Sequence, residues 1–234
     1  MDLTSLNPDD TPERIRELCR RARGSRRVAA VCVFPRFAEL ALRELANTGI
    51  RLALVAGGFP DVALPLARRL DEVRDAVAMG ADEIDAVALR KNILAGDWAA
   101  LFDEVSALRD ACGSAPLKTI LGTGALDSLT TVARASLVAM AGGSDFIKTS
   151  TGKDAVNATL AAGFVMTGQI RGYWEGTGHR VGIKPAGGIR TADDALAWVT
   201  LVREELGADW VRPDLFRIGA SALLDQLEGE LGAG

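Results

Sequence analysis

Short apolar runs alternate with longer amphipathic segments along the chain, and this alternation limits the fold more than any other feature. Val28 to Phe34 is almost continuously apolar, as a strand buried on both faces must be. Asp2 to Leu6, Leu52 to Ala56, Glu83 to Leu89, Leu117 to Leu121 and Leu215 to Ile218 read as further strands. Two more strands carry Lys148 and Lys184.

Helical segments fall between them. Thr11 caps the first, with Pro12 at its first position and Ile15, Leu18 and Ala22 as its apolar stripe. Phe37 to Asn47 is the second. Pro65 opens the third, whose expected buried face is Leu66, Leu70, Val73 and Val77, and Gly80 stops it. Trp98 to Ala111, Asp127 to Ala141 and Leu160 to Tyr173 follow. Thr191 and Asp194 form a capping box for a helix ending before Gly207, and Ser221 to Leu231 is the last. Strands separated by helices need crossover connections, hence a parallel α/β sheet. Eight of each predict a single (β/α)8 TIM barrel spanning residues 1–234 as one domain. The alternative is a doubly wound open sheet, weakened by the lack of a G-x-G-x-x-G turn between a strand and a helix.

Composition narrows the partners. Of 234 residues, 48% are hydrophobic and 25% charged, the profile of a folded soluble chain. A net charge of -4 gives no electrostatic reason to bind nucleic acid or an anionic membrane. Met1-Asp2-Leu3-Thr4 lacks the basic and apolar regions of a signal peptide, and no apolar run is long enough to span a bilayer. Cys19, Cys32 and Cys112 form no C-x-x-C pair, which points to a reduced, cytoplasmic protein. His179 is the only histidine and lies in the loop Gly176 to Arg180, so a zinc site built on several histidines is excluded by count. Neither metal nor other cofactor is expected, and acid–base work falls to carboxylates, lysines or water.

The two lysine-bearing strands carry the chemistry. In Asp145-Phe146-Ile147-Lys148-Thr149-Ser150-Thr151-Gly152-Lys153, alternation puts Phe146, Lys148 and Ser150 on one face. Val181-Gly182-Ile183-Lys184-Pro185-Ala186-Gly187-Gly188-Ile189-Arg190 repeats the arrangement. A buried ammonium is costly unless paired or neutralised. Two converging lysines would each lower the other's pKa, leaving one as a free amine able to attack a carbonyl. The plainer reading is a lysine snorkelling to water from a strand end. Asp85, among apolar strand residues, needs a cationic partner such as Lys184 or Lys118. Lys118 alternates onto the face of Ile120 and reads as a supporting third lumen lysine, with Asp2 as a carboxylate for these cations. Gly152 and Lys153, Gly187 and Gly188, and Gly219 and Ser221 follow the last three strands, where backbone N–H groups can approach an anion.

Phe146 to Lys153 and Gly182 to Arg190 resemble the deoxyribose-phosphate aldolases, a metal-free Schiff-base family on a (β/α)8 barrel. The resemblance runs from Asp2-Leu3-Thr4 to Gly219-Ala220-Ser221. It implies that Lys148 is the nucleophile, that Lys184 depresses its pKa and relays protons, and that Asp85 gives and takes a proton with a water. It implies a phosphorylated sugar and acetaldehyde as small-molecule partners, and a homodimer. Cys32 matches a family position near the site, although a lone buried cysteine reads as small core filler. An aldolase of altered aldehyde or sugar-phosphate specificity, and a catalytically silent sugar-phosphate-binding barrel, are the alternatives. The sequence also departs from the family pattern. It begins within the first strand, so an N-terminal capping helix is expected to be absent or truncated, and its last residues show no tyrosine tail. Gly122 stands where glutamate is common, and Ala222 where a second serine is common, which predicts weaker phosphate preference.

Overall fold

The computed structural model describes residues 1–24 and 28–232. Its sheet has eight parallel strands: β1 (Asp2–Thr4), β2 (Ala30–Val33), β3 (Arg51–Ala56), β4 (Glu83–Val87), β5 (Leu117–Ile120), β6 (Phe146–Lys148), β7 (Gly182–Lys184) and β8 (Gly219–Ala220). Strands β1 to β7 pair in chain order, and β8 pairs with β1 through Asp2↔Gly219 and Leu3↔Ala220. Parallel bridges Ile183↔Phe216 and Ala186↔Gly219 join the remaining edges. The sheet therefore closes as a (β/α)8 barrel, and the doubly wound alternative falls away.

The surrounding helices are α1 (Pro12–Gly24), α2 (Ala38–Leu45), α3 (Leu66–Ala78), α4 (Arg90–Ala95), α5 (Trp98–Ala111), α6 (Leu129–Ala141), α7 (Leu160–Thr177), α8 (Ala192–Leu206) and α9 (Leu223–Gly232). Side-chain caps fix several starts. Asp97, Ser128 and Thr159 each accept a backbone N–H of the first turn, which satisfies a donor the helix itself cannot. At α8, Thr191 Oγ1 accepts from Asp194 N at 3.1 Å while Asp194 accepts from Thr191 N at 3.0 Å. No described helix is both long and apolar enough to cross a membrane.

Alternation sorts the strand side chains into two layers. Leu52, Leu54, Ile84, Ala86 and Ile147 point outward into the main core beneath the helices. Ala30, Cys32, Ala53 and Val55 form a separate small apolar cluster in the barrel lumen. Burying a leucine- or valine-sized side chain contributes roughly 1.5–3 kcal/mol, so the outer layer dominates fold stability.

Four local expectations change. The first strand stops at Thr4 rather than Leu6. The eighth strand is Gly219–Ala220, downstream of the expected Leu215 to Ile218, because Phe216 makes only an isolated bridge while Arg217 turns inward. The segment after β4, assigned above to neither strand nor helix, coils into α4. On α3, Leu66 is exposed and Leu70 and Val77 are only half-buried; Arg69, Val73 and Ala76 take the inner face. Arg69 is tolerated there because its guanidinium is fully engaged. It donates to Gly57 O at 2.8 Å and Val87 O at 2.5 Å, and pairs with Glu104 at 2.7 Å. Gly234, where the sequence ends, lies outside the described residues.

Candidate active site

Inward alternation brings Asp2 from β1, Glu83 and Asp85 from β4, Lys118 from β5, Lys148 from β6 and Lys184 from β7 into one lumen, and Arg217 joins them just before β8. All seven are buried. Small residues make the room. At Gly219 a Cβ would lie 3.2 Å from Lys184 Cε, and at Gly182 a Cβ would meet the Phe146 ring at 2.3 Å.

Asp85 is the hub. Its Oδ2 accepts from both Lys148 Nζ and Lys184 Nζ, each at 2.7 Å, and its Oδ1 accepts from Lys118 Nζ at 2.8 Å. Burial alone would raise the Asp85 pKa, but Lys118, Lys148 and Lys184 outweigh it and hold the carboxyl well below the usual range. Lys184 also lies 2.6 Å from Asp2 Oδ2, and Lys118 lies 2.7 Å from Glu83 Oε2. Asp2 is likewise held low, because Lys184, Lys118 and Arg217 overcome its burial.

The two central lysines behave differently. Burial pushes the Lys148 amine toward its neutral form; Asp85 opposes this and Lys184 reinforces it. Burial has the same tendency at Lys184, but Asp2 and Asp85 reverse it and raise its pKa above that of a free lysine. Mutual loss of pKa by the pair is therefore not what happens: Lys184 stays protonated because it has two carboxylates, whereas Lys148 shares one oxygen of Asp85 with Lys184. Desolvation, ahead of Lys184, is the main cause of the depressed Lys148 pKa. Lys118, expected as a supporting cation, is raised for the same reason as Lys184: its carboxylates Asp85, Asp2 and Glu83 prevail over burial. Cys32 is buried beside this cluster, and burial raises its thiol pKa, so it sits there as a protonated small side chain.

Above the lumen opens a cavity of about 220 Å³ with Lys148 on its inner wall. Gly152 and Lys153, Gly187 and Gly188, and Gly219 and Ser221 all line it, together with Ala222, Arg190 and Asn7. Lys153 Nζ donates to Asn7 Oδ1 at 3.3 Å. Gly187 and Gly188 have φ of 80° and 84°, a left-handed conformation that other residues rarely adopt, and a Cβ at Gly187 would strike Asn157 at 2.7 Å. The arrangement presents a buried amine, its pKa lowered by desolvation, at the base of a pocket, and backbone amides with two cations at its rim. Carbonyl attack below and anion binding above are the chemistry it can support. His179 is exposed in its loop, as its sequence context suggested.

Two lumen residues escaped the sequence reading: Glu83 and Arg217. The signal for Glu83 was present, since it is two residues before Asp85 and shares its face. Arg217 bears the same relation to Gly219, but the short eighth strand hid the alternation.

Comparison with known proteins fits this geometry. The DeoC/LacD aldolase family model matches residues 1–229. The chain belongs to the DeoC/LacD aldolase family. It is 51% identical to the mouse deoxyribose-phosphate aldolase, over 99% of this chain and 78% of that protein. The human deoxyribose-phosphate aldolase is 49% identical over the same shares. Among solved structures, the family likeness extends to deoxyribose phosphate aldolase from Aeropyrum pernix, described as a tetramer. It is 26% identical, with a TM-score of 0.79, and the match covers all of this chain and 90% of that one.

Proposed function

We propose that this chain reversibly cleaves 2-deoxy-D-ribose 5-phosphate to D-glyceraldehyde 3-phosphate and acetaldehyde, through a Schiff base on Lys148. The neutral Nζ attacks the C1 aldehyde to give a carbinolamine, which loses water to an iminium ion. A base then takes the proton of the C3 hydroxyl. The C2–C3 bond breaks, its electron pair flows into the iminium to form an enamine, and glyceraldehyde 3-phosphate leaves. Protonation of the enamine at carbon and hydrolysis release acetaldehyde and restore the amine.

Asp85 and Lys184, which share the Asp85 Oδ2 contact with Lys148, are the groups assigned to carry protons with a water. Lys118, Asp2 and Cys32 support the lumen without touching substrate. Gly152, Lys153, Gly187, Gly188, Gly219 and Ser221 are assigned to the phosphate. The observation that carries the reading is the single shared contact of Lys148: a buried amine at the foot of an open cavity, pushed toward neutrality by its surroundings. Borohydride reduction in the presence of acetaldehyde tests it. The expected product is an N-ethyl group on Lys148; an adduct confined to other lysines, or none, would overturn the assignment.

The remaining proposals are that the chain acts as one domain, as a homodimer in the cytoplasm. Buried free thiols at Cys19, Cys32 and Cys112 support a reducing compartment. Exposed Leu160, Phe164 and Leu196 on α7 and α8 support self-association, which sedimentation would measure.

A further inference from the structure

The lumen contacts form a closed circuit. Arg217 Nη1 lies 2.6 Å from Asp2 Oδ1; Asp2 Oδ2 lies 2.6 Å from Lys184; Lys184 reaches Asp85 at 2.7 Å. Asp85 Oδ1 accepts from Lys118 at 2.8 Å, Lys118 reaches Glu83 at 2.7 Å, and Arg217 Nη2 returns to Glu83 Oε1 at 2.6 Å. Three cations alternate with three carboxylates, so the circuit is neutral. Lys148 is a seventh member, attached through Asp85 Oδ2 alone. We propose that Arg217 is a positioning residue for the reaction: by closing this circuit it occupies Asp2 and Glu83, so that no surplus carboxylate is left to hold a proton on Lys148.

Arg217 suits the task. A guanidinium does not deprotonate in proteins, and its fork spans two carboxylates at once. It is buried over the Phe146 ring, 5.8 Å from the centroid, and far enough down the barrel to leave the cavity clear. Other charged and titratable groups face the cluster. Arg51 on β3 contacts Glu83 at 2.9 Å but brings its own carboxylate, Asp214, at 3.1 Å. Cys32 on β2 is protonated. Burial pushes the Met1 amino group beside Asp2 toward its neutral form. Counting these, the local excess is still one cation, and Lys148 is the member with the weakest hold on its proton.

The inference rests on Lys148 being the nucleophile and is tested through the acid limb of kcat/KM, which reports the free enzyme's amine. Without the guanidinium, R217Q leaves three carboxylates facing three lysines. Lys148 then keeps its proton, and the limb moves to higher pH by about one unit or more. At neutral pH the rate falls about tenfold per unit and recovers in alkaline buffer. E83Q removes a carboxylate instead and moves the limb to lower pH. R217Q/E83Q restores the balance and returns the limb toward the wild type, as does R217K, which keeps the charge. A merely structural role would lower melting temperature without moving the limb. An unmoved limb in folded R217Q, or a displaced limb that E83Q fails to correct, overturns the proposal. Should R217Q fail to fold, E83Q alone decides by the direction of its shift. Borohydride trapping of Lys148 at alkaline pH in each variant separates this failure from failure of the Schiff-base assignment.

Discussion

Inside the barrel, Lys118, Lys148 and Lys184 are buried and bound to carboxylates at 2.6–2.8 Å; at the mouth, Lys153 and Arg190 stand exposed among glycines. The two regions use positive charge differently. In the lumen every ion pays desolvation, so the balance of signs sets which group holds its charge least firmly, and that group is Lys148. At the mouth, water and salt screen the cations, and the phosphate binding proposed there would rest on hydrogen bonds from backbone and hydroxyl. Changes in the lumen should therefore alter protonation and fold stability together, whereas changes at the mouth should alter substrate binding alone.

The largest expected effect is at Lys148. K148M should abolish trapping and lower kcat/KM on the order of 10⁴-fold or more, as loss of a covalent nucleophile does. Its stability should be unchanged or higher near neutral pH. The folded chain disfavours the Lys148 proton, so the unfolded chain binds it more tightly, and deleting the group removes that handicap. K184M should do the reverse for stability: Asp2 and Asp85 lose their shared cation, at a cost of about 3–5 kcal/mol. Paired thermal melts of the two variants would break the comparison if both lost stability alike.

D85N comes next. Removing the hub charge should lower kcat by about 10²–10⁴-fold, the range for a general acid–base group. The same carboxyl governs acid stability. Asp85 and Asp2 titrate below their unfolded value of about 3.9, so their contribution is complete above that pH and is lost as pH falls beneath it. Urea melts from pH 6 to 3, values bracketing that range, should show a decline in the wild type that D85N flattens.

How much of this could be read from the sequence follows the same division. The Lys148 and Lys184 strands were legible because a charged residue interrupts an apolar run at a position whose alternation is plain. The glycine loops were legible as turns after strands. The circuit was not, since its closure joins Asp2 at one end of the chain to Arg217 near the other, a contact made only when the barrel closes. For this reason repulsion between the two lysines was visible while the carboxylate that keeps Lys184 protonated was underrated. Arg69 shows the same blind spot outside the site. Its partner Glu104 is on another helix, and an apolar pattern cannot reveal an ion pair buried between two helices.

The smallest effects belong to the mouth. S221A should raise KM for deoxyribose 5-phosphate about two- to tenfold, the worth of one hydrogen bond, and leave the melting temperature unmoved. A222S sharpens the point because it adds a group instead of removing one. Ala222 lines the cavity between Ser221 and the start of α9, where a hydroxyl would find an anion held by helix-terminal amides. KM for the phosphorylated sugar should fall by a similar factor, while KM for unphosphorylated deoxyribose should not change. Equal changes for both sugars would mean that position 222 faces the carbon chain, and the division between a reactive lumen and an anion-binding mouth would have to be redrawn one residue closer to Gly219.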